Sequence, residues 1–286
     1  MGYHEFWQEL STVYEVNEAK AVARLVFEKC LGLSLTQIYA DSAAQIIIEN
    51  QSLLHNILKR LLQMEPVQYV LGKADFYGRE FVVSSGVLIP RPETEDLIRY
   101  ILTETKTQPL AILDCCTGSG CIAITLSLEI EKSNVSAFDI SEKALTIARE
   151  NAKRLKAKVN FFNADALCID ETIKTHEYQT IQPYDIIISN PPYVCESERA
   201  EMQAHVLNHE PAEALFVPDN NPLKFYNAIS DFATTHLYKG GLLCFEINPL
   251  FSQQIANSLE EKGFSDVNIK KDQFGKNRFA FAKFLH

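Results

Sequence analysis

Apolar positions recur at helical spacing through the first seventy or so residues. Phe6, Leu10, Val13 and Tyr14 share one helical face. Asn17 stands as a candidate N-cap for a second helix carrying Ala21, Leu25 and Cys30, with Gly32 as its stop. Leu53, Leu54, Ile57, Leu58, Leu61 and Leu62 form a broad stripe that ends before Pro66. A small helical bundle is expected over 1–71. Between residues 72 and 90 the pattern shortens. Gly72, Gly78 and Gly86 interrupt brief apolar runs at Phe76-Tyr77 and Phe81-Val82-Val83, which predicts a hairpin linker.

From about Thr94 the pattern alternates between strand and helix. Strands are expected at Ala111–Asp114, Val135–Asp139, Val159–Asn163 and Tyr184–Ser189, with helices at Cys121–Leu128 and Ser141–Leu155, the latter capped by Ser141. This alternation predicts a mostly parallel sheet covered on both faces. The end differs. Leu242–Ile247 reads as a buried strand and Pro249–Lys262 as a helix. Val267–Lys271 and Arg278–Phe284 then flank a turn at Gly275, so the last strand should run antiparallel. The fold class is α/β, with domains expected at 1–71 and 91–286.

Composition narrows the partners. The net charge is −10, which lowers the expectation of a nucleic-acid partner, since duplexes are gripped by cations that neutralise phosphates. No run of about eighteen apolar residues predicts a membrane span, and Met1–Leu10 lacks a basic head before an apolar run. A cytoplasmic location is expected, with the seven cysteines reduced. Cys115, Cys116 and Cys121 lack a second ligand pair at zinc spacing, so no metal is expected. His205, His209 and Glu210 read as surface or packing residues, Trp7 as bundle core, and Lys20, Arg24, Lys29, Lys59 and Arg60 as solvated faces.

Two motifs carry chemistry. Asp114-Cys115-Cys116-Thr117-Gly118-Ser119-Gly120 joins a strand to a helix, where backbone amides and a helix N-terminus favour a carboxylate ligand. Asp139 ends the next strand, 25 positions after Asp114, where an acid can accept from both ribose hydroxyls of an adenosine. Only two glycines occur, and a pyrophosphate would sit poorly beside Asp114. The cationic end of S-adenosylmethionine would sit well there, near the Asp114 carboxylate. Asp165, after a third strand, is placed to receive an adenine amino group.

The second motif is Asn190-Pro191-Pro192-Tyr193, after the strand Asp185–Ser189. The side-chain oxygen of Asn190 and the carbonyl of Pro191 can hold both hydrogens of one planar NH2 group and aim its nitrogen at a sulfonium methyl. Pro191 and Pro192 stiffen the loop, and Tyr193 can stack on a flat target.

The chain resembles the peptide chain release factor glutamine N5-methyltransferases, the HemK/PrmC family. The resemblance rests on Glu65-Pro66-Val67-Gln68-Tyr69-Val70-Leu71-Gly72 with Phe76-Tyr77-Gly78, on Gly86-Val87-Leu88-Ile89-Pro90-Arg91-Pro92-Glu93-Thr94-Glu95, and on the two motifs above. Glu210-Pro211 with Ala214-Leu215, Gly240-Gly241 with Glu246, and Lys271-Asp272 with Gly275 and Arg278 extend it over nearly the whole chain. It implies a class I methyltransferase domain, Rossmann-like and seven-stranded with the last strand antiparallel, behind a helical substrate-binding domain. It implies the glutamine of a Gly-Gly-Gln loop as substrate and a release factor as partner; separately, a monomer is expected. Cofactor contacts are implied at Cys116, Thr117, Gly118, Ser119, Gly120, Asp139, Ala166 and Asn190, with Phe76, Arg91, Pro92 and Thr94 nearby. There are departures. Cys115-Cys116 stands where the family has an aliphatic residue and a glycine. Ala166 stands where an aromatic often covers adenine. Asn248 replaces a glycine, and Asn221-Pro222-Leu223 replaces Gly-Leu.

Three other readings fit part of the pattern. An adenine N6-methyltransferase would use Asn190 and Pro191 equally well but needs a nucleic-acid grip. A methyltransferase for a ribosomal-protein glutamine would share nearly every motif. A non-catalytic interaction protein would not need the intact 190–193 motif or Asp139.

Overall fold

The computed structural model describes residues 1–40, 43–105, 110–170 and 183–285. The chain divides into two compact units, Met1–Lys73 with Met202–His209, and Ala74–Glu201 with Glu210–His286.

The first unit is helical. It comprises α1 (Tyr3–Leu10), α2 (Val16–Leu31), α3 (Leu35–Tyr39), α4 (Ala44–Glu49), α5 (Gln51–Leu62) and α6 (Val67–Leu71). Phe6 and Leu10 of α1, Ala23, Val26 and Phe27 of α2, and Leu54 and Leu61 of α5 meet in one core. The α5 stripe is as expected from its spacing, except that Leu53 is exposed. In α2 the buried face is Ala19, Ala23, Val26 and Phe27, so Ala21 lies outside it. The helix begins at Val16 with Glu15 at the cap, two residues earlier than Asn17 suggests. Gly32 ends α2 in the left-handed conformation, as a C-terminal glycine should. Trp7 is not core. It lies at the rim, where the Lys20 ammonium sits over its ring at 4.8 Å. Arg60 is also more than a solvated charge. Its guanidinium donates to Glu65 Oε2 at 2.7 Å and to the Val70 carbonyl at 3.1 Å, clamping α5 to the segment that enters α6. A further short helix, α10 (Ala204–His209), completes this unit, with the His209 ring 3.3 Å from the Gln63 carbonyl.

The second unit opens with a hairpin, β1 (Lys73–Phe76) and β2 (Arg79–Val82). Tyr77 and Gly78 at its tip both have positive φ, 50° and 69°, the conformation that a two-residue turn of native twist demands. From Ala74 onward the expected linker is thus part of this unit. The main sheet contains β3 (Ala111–Cys115), β4 (Asn134–Asp139), β5 (Val159–Asn163), β6 (Tyr184–Ser189), β9 (Leu237–Glu246), β10 (Phe264–Lys271) and β11 (Asn277–Phe284), while β7 (Val194–Cys195) and β8 (Phe216–Val217) form a separate parallel pair. Its order is β10-β11-β9-β6-β3-β4-β5. The pairs β5–β4, β4–β3, β3–β6 and β6–β9 are parallel, and β11 is antiparallel to both β9 and β10. The antiparallel last strand is as expected. β9 begins at Leu237, five residues earlier than its apolar run suggests.

Strand alternation divides the core in two. Ile112, Ile186, Ile188 and Cys244 point to one face, packed by α7 (Pro92–Glu104), α8 (Cys121–Glu129) and α9 (Glu142–Leu155). Leu113, Ile187, Leu243 and Phe245 point to the other, packed by α11 (Lys224–His236) and α12 (Ser252–Glu261). The sequence pattern had not delimited α7 or α11. Cys121–Leu126 of α8 are buried without a break, so this helix is immersed on all sides. Among the described residues no helix is long and apolar enough to cross a membrane.

Candidate active site

A cavity of about 310 Å³ opens where β3, β4, β5 and β6 end. Ligands bind beyond the carboxyl ends of parallel strands because loops there diverge to opposite faces of the sheet. Every residue lining it belongs to the second unit.

The glycine loop forms one wall through Cys116, Thr117, Gly118 and Ser119. Gly120 caps α8 with φ 80° and lies beneath that wall. A Cβ on Gly120 would meet Ile124 Cδ1 at 2.9 Å and Ala148 Cβ at 3.1 Å, so glycine here allows α8 and α9 to approach. Cys116 has φ 61°. The backbone needs a left-handed residue at this point, which explains why the family favours glycine and why cysteine costs roughly 1–2 kcal/mol here. Burial pushes the Cys116 thiol well above its ordinary value, with the Asp139, Asp114 and Asp165 carboxylates adding to the effect.

Asp139 ends β4 on the cavity wall. Its Oδ2 accepts from the Gly118 amide and its Oδ1 from the Ser141 amide, both at 2.9 Å. These bonds orient the carboxylate and tie it to the glycine loop. Burial nonetheless raises the Asp139 pKa above its ordinary value. Asp165, Ala166 and Leu167 supply the next wall, and Asp165 Oδ1 accepts from the Leu167 amide at 2.9 Å. Ile140 and Leu167, 60% and 44% exposed, are large apolar side chains left uncovered beside the cavity. Their place beside the cavity was not legible from the motifs; the signal was a large apolar residue one position after Asp139 and two positions after Asp165.

Asp114 departs from expectation. It is fully buried and does not line the cavity. Its Oδ2 accepts from the Thr117 hydroxyl at 2.6 Å and the Ala123 amide at 3.2 Å, so it braces the glycine loop from below. Its Oδ1 is buried with no partner. Burial pushes the carboxyl up to about 7 against those two hydrogen bonds. Asn151 of α9 is a second brace that the spacing did not reveal. It donates to the Ser119 carbonyl and pairs with both backbone groups of Val82, joining the hairpin to the loop.

The 190–193 motif follows β6. Asn190 and Pro192 line the cavity, whereas Pro191 and Tyr193 do not. Tyr193 is half-buried against the apolar core and donates its phenol proton to Glu246 Oε1 at 3.1 Å. The ring is therefore a brace, which corrects the expected stacking role. The Tyr193 carbonyl accepts from the Asn248 side chain at 3.1 Å, a contact the glycine usual at 248 could not make.

The family-specific block is explained by its bonds. Glu210 Oε2 accepts from the Ile89 amide at 3.2 Å and its Oε1 from Arg91 at 2.6 Å. Glu95 accepts from the Tyr77 amide at 2.8 Å. Thr94 donates to Glu246 Oε2 at 2.7 Å. Arg91 and Thr94 line the cavity and Pro92 does not. Phe76 also lies off the cavity. It is 1% exposed and packs edge-on against Phe81 in the core, so the implied cofactor contact is not made by this side chain as placed. Among the described residues no cluster of histidine, cysteine and acids is arranged to hold a metal ion.

Comparisons with known proteins agree with this construction. Residues 94–217 match the family described as Methyltransferase small domain, and residues 4–72 match PrmC N-terminal domain. A release factor glutamine methyltransferase of Bacteroides thetaiotaomicron is 43% identical over 275 residues, covering 96% of each chain. That of Flavobacterium psychrophilum is 35% identical over 98% of this chain and 97% of its own. That of Lactococcus lactis is 41% identical over 84% and 85%. Two solved structures share the fold at a TM-score of 0.51: a methyltransferase from Pyrococcus furiosus, 17% identical over 80% of this chain and 98% of its own, and a 16S rRNA methyltransferase of T. thermophilus in complex with AdoMet and guanosine, 18% identical over 74% and 49%. With identity of this degree over nearly the whole chain, the chain belongs to the release factor glutamine methyltransferase family.

Proposed function

We propose that the protein transfers a methyl group from S-adenosylmethionine to the side-chain amide nitrogen of a release factor glutamine. The observation that carries this reading is Asn190 at the end of β6, facing a cavity whose opposite walls suit an adenosine. The site fits that cofactor by its own chemistry. Asp139, held by two backbone amides, keeps lone pairs for ribose hydroxyls. Ile140 and Leu167 offer apolar faces for a purine, compensating for the small Ala166. The start of α8 presents amides to a carboxylate. A cavity of this size suits a nucleoside ligand.

When bound, the cofactor supplies a methyl group made electrophilic by the adjoining sulfonium. The residues of the chain prepare the other reactant. An amide nitrogen has its lone pair delocalised and two hydrogens to be oriented. The Asn190 oxygen, on the cavity wall, accepts one hydrogen; Pro191, next to it in the loop but off that wall, is the candidate acceptor of the other through its carbonyl. Both acceptors stabilise the positive charge that grows on nitrogen as the new bond forms. No general base is needed, because the proton can leave after the transfer. The helical first unit, matching the PrmC N-terminal domain, is the natural reader of the release factor surface.

Asn190→Ala tests the reading. Methyl transfer from labelled cofactor to purified release factor should fall by roughly a hundredfold or more, while cofactor binding persists. A release factor carrying alanine in place of its Gly-Gly-Gln glutamine should take no label. Label on nucleic acid, or wild-type turnover in the variant, would refute the assignment.

A further inference from the structure

We infer that Glu246, acting through Thr94, is a positioning residue that sets which way the Asn190 amide faces. The inference rests on the reading of Asn190 as the acceptor for the substrate amide. Asn190 can serve only if its oxygen points to the substrate and its NH2 points away. The two ends of a carboxamide are nearly equal in shape, so packing alone distinguishes them poorly. A hydrogen bond of defined direction must choose.

The structure contains such a bond. Glu246 ends β9, is 1% exposed, and has a carboxylate that can only accept. Thr94 Oγ1 stands 2.7 Å from Glu246 Oε2 and gives its single proton there. Toward Asn190 the threonine then presents only lone pairs. Asn190 Nδ2 lies 3.4 Å from that oxygen, at the long end of hydrogen-bond range, and donates to it. The amide oxygen is the atom left for the substrate. Tyr193 donates to the other carboxylate oxygen at 3.1 Å, so both ends of Glu246 are engaged as acceptors. One carboxylate thus orders two residues of the 190–193 motif.

Reversal follows if Glu246 gains a donor. In Glu246→Gln the side chain has one acceptor and one NH2, and cannot accept from both Thr94 and Tyr193. When its NH2 faces Thr94, the threonine proton turns to Asn190. The Asn190 amide then rotates and meets the substrate NH2 with its own NH2. Thr94→Val removes the directing oxygen altogether. Thr94→Ser restores it.

The test measures kcat and KM for release factor methylation by wild type, E246Q, T94V, T94S and the E246Q/T94V double variant. S-adenosylhomocysteine affinity and melting temperature are measured in parallel. We expect kcat to fall at least tenfold in E246Q and T94V, in the range roughly seen when one preorganised hydrogen-bonding partner of a transition state is lost. KM should change less than kcat, since the contacts to the release factor away from the reacting amide are untouched. T94S should regain most of what T94V loses. The double variant should be no slower than the slower single one, because both act on one line of bonds. If E246Q does not fold, the Thr94 pair decides. Both single variants within twofold of wild-type kcat, or losses that multiply in the double variant, would overturn the inference while leaving the function intact. A wild-type protein that fails to label the release factor would overturn the function, and the inference with it.

Discussion

At the scale of single residues, several acids of the site are placed against their own charge. Asp114 is the clearest case. Its folded pKa of about 7 exceeds the ordinary aspartate value of 3.8 because burial outweighs two hydrogen bonds. The unfolded chain therefore holds fewer protons than the folded one between about pH 4 and 7. The contribution of Asp114 to stability is greatest below that window and is lost as pH rises through 7. Asp114→Asn should remove the decline. A donor replaces the partnerless Oδ1, which costs about 1–3 kcal/mol, against a relief of up to roughly 4 kcal/mol. We expect the cofactor-free variant to melt a few degrees above wild type at pH 8, with the advantage gone or reversed near pH 4 by calorimetry. The sequence marked Asp114 as important but misjudged how. It stands beside the glycine loop in the chain, yet the sharp turn from β3 to α8 carries its side chain beneath the loop. No spacing rule distinguishes a carboxylate that touches the ligand from one that holds the residues that do.

At the scale of elements, the β3–α8 turn joins backbone conformation to packing. Gly118 and Gly120 both have positive φ, but only Gly120 is crowded. Gly118→Ala should cost about 1 kcal/mol of stability, the left-handed penalty alone. Gly120→Ala should cost about 2–3 kcal/mol, because its methyl must also displace Ile124 and Ala148. Thermal melting should show the difference, with cofactor affinity falling in both variants. Elements with strict period were readable. The strands β3 to β6, α9 with its Ser141 cap, and the α5 stripe stand close to where the pattern put them. The elements missed have mixed periods or short lengths. α7 was not delimited, although Pro92 at its first position and Glu93 and Glu95 in its first turn suit a helix start, and α6 spans only five residues beside Pro66.

At the scale of the whole molecule, the division of labour is sharp. All residues lining the cavity lie in the second unit. A chain starting at Lys73 should therefore bind S-adenosylhomocysteine within a few-fold of the intact protein. Its methylation of a release factor should fall by at least roughly tenfold, since contacts remote from the reacting centre supply orientation there. Titration calorimetry and the label-transfer assay separate the two effects. The sequence suggests a boundary at the change of period near residue 72, and the first unit's main segment ends at Lys73. The return of Met202–His209 to the first unit was not visible, because six helical residues between loops carry no address in their sequence.

Cys116 carries a consequence of its own. A thiol on the wall of a pocket that holds an alkylating agent is exposed to self-poisoning, because the anionic sulfur is the reactive form. The burial and surrounding carboxylates that raise this group well above its ordinary value keep it protonated at neutral pH. The same negative surroundings that suit a cationic sulfonium thus protect the enzyme from its own reagent, and let a soft, nucleophilic atom occupy a place that an inert one would otherwise fill.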